Sequence, residues 1–66
     1  MEQQERSNKL LKKGIEIFGA DKSFHMWLNI PSFGLGHQIP FNLMDTITGI
    51  NLVEEELIRI EFGDLA

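Results

Sequence analysis

Toward the C-terminal end of the chain, Ile50, Val53, Leu57 and Ile60 fall three, four and three positions apart, the spacing that gathers side chains onto one face of a helix. No other feature constrains the fold as much. An apolar helical face needs a second one to pack against, and the chain supplies it from about Gln3 to Phe18. There Leu11, Ile15 and Phe18 recur at four and three, with Leu10 and Ile17 widening the stripe. Strands are disfavoured, because no short run alternates cleanly or carries a hairpin dipeptide. The expected fold is all-α: a small compact bundle of about four helices with a Gly/Pro loop between helices two and three.

Glycine and proline punctuate the rest. Gly19 stands where a left-handed C-terminal cap is wanted after helix one. Gly14, inside that helix, costs roughly 1 kcal/mol relative to Ala, which points to close approach of another element across its face. Asp21 is placed to cap a short second helix, lined by Phe24, Trp27 and Leu28, which Pro31 ends by about Asn29. The stretch Pro31 to Gln38 has no period and reads as an ordered loop pinned by Phe33 and Leu35. Pro40 suits the first position of a third helix containing Leu43 and Met44. Thr46 and Thr48 are both candidate caps for the last helix, which runs to about Phe62, with Gly63 closing it. Glu54, Glu55 and Glu56 are expected to face solvent or a partner.

The chain has 66 residues, no cysteine and a net charge of -4. A domain of that size buries only about 60% of the surface its unfolded form exposes, so a modest core and an apolar face left for a partner are expected, and a deep cleft is not. Without cysteine there is no disulfide framework, zinc-thiolate site or thiol nucleophile. Excess negative charge opposes the counterion release that drives phosphate-backbone binding, so direct nucleic-acid binding by this chain is not expected. The longest stretch free of Asp, Glu, Lys and Arg, Ser23 to Met44, is broken by His25, Asn29, Pro31 and Pro40, which excludes a continuous membrane span. The acidic start Met1-Glu2-Gln3-Gln4-Glu5 is unlike a signal peptide.

No catalytic constellation emerges. His25 and His37 lack metal-ligand spacing, and Asp21 with His25 at i, i+4 supplies two of the three or four ligands zinc requires, so an ordinary surface pair is the expectation. Ser7, Ser23 and Ser32 lack the G-x-S-x-G context of a nucleophile. Gly34-Leu35-Gly36 follows a helix instead of a strand and has no P-loop lysine. We therefore expect no catalytic residue, cofactor or metal. What stands in excess is apolar surface: five Phe, one Trp and three Met exceed what so small a core encloses. Trp27 is assigned to the core. Phe62 divides evenly between core and interface, and Leu65 favours a contact outside the domain.

The ordered series Ile17-Phe18-Gly19, Trp27-Leu28, Pro31, Leu35-Gly36, Pro40, Leu43, Thr46, Gly49, Val53, Leu57, Arg59-Ile60-Glu61 and Gly63 resembles the toxin-binding domain of the MbcA/ParS/Xre antitoxin family. The likeness spans about residues 14 to 63. It implies an antitoxin of a type II toxin–antitoxin system that neutralises a RES-domain toxin, an NAD-consuming enzyme of the bacterial cytoplasm. In that family the last helix and C-terminal tail lie over the toxin's active-site entrance. Carried onto this chain, the resemblance places partner binding on Glu56, Arg59, Ile60, Phe62, Gly63, Asp64 and Leu65. Glu56 and Arg59 are expected to make polar contacts and Ile60, Phe62 and Leu65 apolar ones, although Ile60 also belongs to the core stripe.

Two departures from the family pattern stand out. Members often carry a small residue where Phe24 stands and a second glycine where His37 stands. Many also have an N-terminal DNA-binding domain, and three DNA-binding helices cannot fit in the roughly thirteen residues before the match. Residues 1–13 read as the partly frayed start of helix one, and 14–66 as the toxin-binding domain. A cytoplasmic homodimer is expected. The rival reading is a dimerisation domain of a transcriptional regulator whose DNA-binding domain is supplied elsewhere.

Overall fold

Helix formation at the C-terminal end is set by Thr46, whose hydroxyl accepts a hydrogen bond from the Gly49 backbone N–H at 3.0 Å. That satisfies one of the donors a helix start leaves unpaired, and of the two threonines it is Thr46 that caps. In the computed structural model, which describes residues 2–63, the elements run α1 (Glu2–Phe18), α2 (Asp21–Leu28), a 3-10 turn (Phe33–Leu35), α3 (Pro40–Leu43) and α4 (Ile47–Glu61). The all-α bundle inferred from periodicity is what forms. Pro40 occupies the first turn of α3, where its missing N–H is not needed.

The core is Leu10 from α1, Phe24 and Leu28 from α2, Leu35 from the turn, and Ile50, Val53 and Leu57 from α4. Leu11, Ile15, Ile17, Phe18, Trp27, Leu43 and Met44 pack around it, partly exposed. The buried face of α1 is thus turned toward Leu10 and Gly14, away from the Leu11–Ile15 line that the apolar pattern suggests. The cause is α2. Phe24 is fully buried and its ring lies against Gly14, where a Cβ would overlap it. The absent side chain lets α1 and α2 approach closely, and Phe18, Phe24 and Trp27 complete an aromatic cluster with ring centroids 5.7 to 6.1 Å apart.

Two loop expectations need correction. Asp21 does not cap α2. The N-cap is Ala20, which makes no side-chain bond, and the Asp21 carboxylate instead meets His25 Nδ1 at 2.6 Å one turn on. Phe33 does not pin the Pro31–Gln38 loop either. It is 84% exposed while Leu35 is buried, because a 3-10 turn advances about a third of a revolution per residue and sends positions two apart in different directions. The loop is closed instead by its backbone: Ser32 N–H donates to Gln38 O and His37 N–H to Ser32 O, at 3.0 and 2.8 Å.

Residues 2–9 have no apolar anchor, yet they are helical and carry polar tethers. Gln3 Nε2 donates to Asp45 O at 2.7 Å, and the Arg6 guanidinium donates to Asn51 Oδ1 on α4. No helix among the described residues is long and apolar enough to cross a membrane.

Two substitutions test this packing. Gly14→Ala gains about 1 kcal/mol of helix propensity but drives a methyl into a ring that is enclosed on all sides, and overpacking of that kind costs about 1–3 kcal/mol. We expect a net loss, seen as a lower urea midpoint; an unchanged or higher midpoint would show that α2 can yield. Thr46→Ala should cost about 1 kcal/mol by the same assay, against no measurable change for Thr48→Ala.

Candidate partner-binding site

On α4, Glu56 falls one turn after Val53 and one turn before Ile60, which turns it inward although it ends a run of three glutamates. It is 5% exposed, whereas Glu55 is exposed and Glu54 half-buried. The expectation that all three face outward is therefore wrong for Glu56. Its Oε1 accepts a hydrogen bond from Arg59 Nε at 2.9 Å and lies 2.7 Å from Nη2 in an ion pair, so the guanidinium meets a single carboxylate oxygen. Burying a carboxylate without such a partner would cost several kcal/mol. Above it lies the backbone of Gly34, where a Cβ would overlap the Glu56 carboxylate. The loop can cross here because position 34 has no side chain.

The result is an open groove of about 580 Å³ between the C-terminal half of α4 and the end of α2. Phe18, Trp27, Pro31, Phe33 and Ile60 form its apolar walls, and Glu56 and Arg59 contribute its polar lining. Arg59 is 43% exposed at the side chain, so its guanidinium is bonded to Glu56 while still reaching solvent. Met26, Ile30 and Leu52 are exposed as well, outside the groove lining. Apolar walls that carry an arginine have the composition of a protein-binding patch. A second depression, between α1 and α4, is lined mainly by charged side chains such as Glu5, Arg6, Lys9 and Glu54, and offers no comparable anchor.

The residues singled out from the sequence divide as follows. Arg59 and Ile60 line the groove, with Ile60 partly buried, so it serves core and groove together. Glu56 sits beneath the groove and is directed at Arg59, not at solvent. Phe62 is 79% exposed just past α4, and Gly63 takes a left-handed conformation (φ 70°) as its N–H bonds Ile60 O. Asp64 and Leu65 lie outside the described residues. Sequence reasoning missed Phe33 and Gly34 as groove residues. The signal available was Phe33 and Leu35 two apart in a non-helical loop, of which one had to face out.

The His37 backbone has φ 65°, a left-handed conformation uncommon for a residue with a side chain, and its ring stands edge-on to Phe33 with centroids 5.1 Å apart. The position where the resemblance favours glycine is thus one whose backbone suits glycine. Phe24 matches Gly14 in the same way: the larger side chain occupies the space left on α1. Asp21 and His25 form an exposed pair, and no cluster of three His, Cys, Asp or Glu able to hold a metal occurs among the described residues.

The model of the antitoxin Xre/MbcA/ParS C-terminal toxin-binding domain matches residues 13–63. The chain belongs to that family. It is similar to "Antitoxin Xre" of Yersinia enterocolitica (serotype O:8 / biotype 1B, strain NCTC 13174 / 8081), with 34% identity over 56 residues, covering 83% of this chain and 38% of that protein. The chain therefore spans well under half the length of this relative. No solved structure matches it. The family match takes in Gly14, the aromatic cluster, the groove and the whole of α4, so the packing that shapes the patch lies inside the shared domain.

Trp27 is the single tryptophan and reports on the groove directly. Phe33→Ala removes one wall without touching the core, so stability should stay within about 0.5 kcal/mol while Trp27 emission shifts to the red. An unmoved spectrum would mean that Phe33 does not shelter the groove.

Proposed function

We propose that this chain is the toxin-binding part of an antitoxin in a type II toxin–antitoxin system. Its partner is a NAD-consuming RES-domain toxin of the cytoplasm, and it acts by binding and not by catalysis. Inhibition is steric: the exposed side of α4 from Glu55, together with Phe62 and the residues that follow, covers the entrance of the toxin's active site. The observation that carries this reading is the apolar patch around Arg59 and Phe62 at the C-terminal end of α4, within a domain whose family is defined by toxin binding. Apolar anchors such as Phe62, Phe33 and Ile60 supply affinity, and Arg59 orients the contact. The net charge of -4 favours approach to a basic pocket built for a dinucleotide, speeding encounter more than it strengthens the complex.

Co-expression tests both halves of the proposal. The intact chain should restore growth to cells making the cognate RES-domain toxin; failure to do so would remove the antitoxin role. Deleting residues 62–66 should weaken rescue while leaving the circular dichroism spectrum helical. Equal rescue by the shortened chain would eliminate occlusion by the terminal segment and leave binding by the groove alone.

A further inference from the structure

We infer that Glu56 is a positioning residue for the partner surface: from beneath the groove its carboxylate orients Arg59 and seats the turn that carries Phe33. The inference rests on reading that groove as the place where the toxin binds. It departs from the expectation that Glu56 itself meets the partner, since a side chain 5% exposed has almost no surface to offer one.

Three observations converge on this role. Arg59 Nε donates a hydrogen bond to Glu56 Oε1 at 2.9 Å and Nη2 makes an ion-pair contact with the same oxygen at 2.7 Å, so one edge of the guanidinium is held against the carboxylate. The Gly34 backbone lies directly on the carboxylate, which makes Glu56 part of the floor under the 33–35 turn. Phe33, borne on that turn, and Arg59 face the same groove. One buried carboxylate therefore touches the supports of both an aromatic and a cationic group on the patch. Fixing such groups before encounter removes ordering costs of about 0.5–1.5 kcal/mol per side chain from association.

A stability role alone would predict something different. Removing one partner of a buried ion pair is costly when it strands a buried charge, but the Arg59 side chain is 43% exposed and stays in water, so Glu56→Met should still fold, with little loss of stability. Its positioning function should nevertheless be lost. In the domain alone, NMR should show Arg59 Nε–H exchanging at least about tenfold faster in Glu56→Met, in keeping with loss of a charge-assisted hydrogen bond. The amide resonances of residues 33–36 should move while those of residues 3–9 in α1 stay in place. Unchanged Arg59 exchange and unchanged 33–36 resonances would overturn the inference whether or not any toxin binds.

With the cognate RES-domain toxin, titration calorimetry should show Glu56→Met binding about tenfold or more weakly. The Glu56→Met/Arg59→Ala double variant should lose clearly less affinity than the two single losses added together. Strictly additive losses would show that Glu56 does not act through Arg59. If the parent chain itself fails to bind that toxin, the proposed function falls, and the NMR comparison still decides whether Glu56 sets the geometry of the groove.

Discussion

The contact of the Phe24 ring with Gly14 governs the arrangement of everything around it. A hydrogen atom at position 14 allows α2 to lie against α1, and the ring then fills the space between them. Enclosing a side chain of this size contributes about 1.5–3 kcal/mol, a large share for a domain whose core draws seven buried apolar side chains from the described residues. The same contact brings Phe18 and Trp27 together at 5.8 Å, and those two rings form one wall of the groove. A buried glycine one turn before Phe18 thus helps shape the surface offered to a partner.

Against that apolar background the Glu56–Arg59 pair is the exception. Pairing with one exposed end is a workable compromise: Glu56 leaves water, Arg59 stays partly in it, and the desolvation penalty is smaller than for two enclosed ions. Exposed pairs elsewhere, Lys13 with Glu61 and Arg6 with Glu2 at 3.6 and 3.9 Å, are long and solvated and contribute little. The Asp21–His25 pair is short, at 2.6 Å, but exposed on both sides, so among the described residues it is Glu56–Arg59 that joins a buried carboxylate to the groove.

Legibility in the sequence followed the kind of interaction involved. Helices held by periodic apolar faces could be read, as could Pro40 and the helix-ending Gly19 and Gly63, since each reflects local backbone physics. Position 14 could be identified as a close approach, but its partner could not, because contact across the core is not written in local spacing. Asp21 was misread because a cap and an i, i+4 partner draw on the same residue types. Glu56 was misread because a glutamate run normally faces water; only its register with Val53 and Ile60 marks it as inward. Of the site, the α4 portion was legible through the family likeness and the Phe33 portion was not, since a 3-10 turn leaves no periodic signature.

The corner joining α3 to α4 has a mechanical consequence. A Cβ at Gly49 would overlap the Leu43 carbonyl, and Thr46 locks the start of α4 between them. That joint leaves no slack, and α1 is strapped to the same region through Gln3 and Asp45. A side chain at position 49 would therefore push α3 off the start of α4 and pull on the Gln3 tether that holds α1 to the same corner.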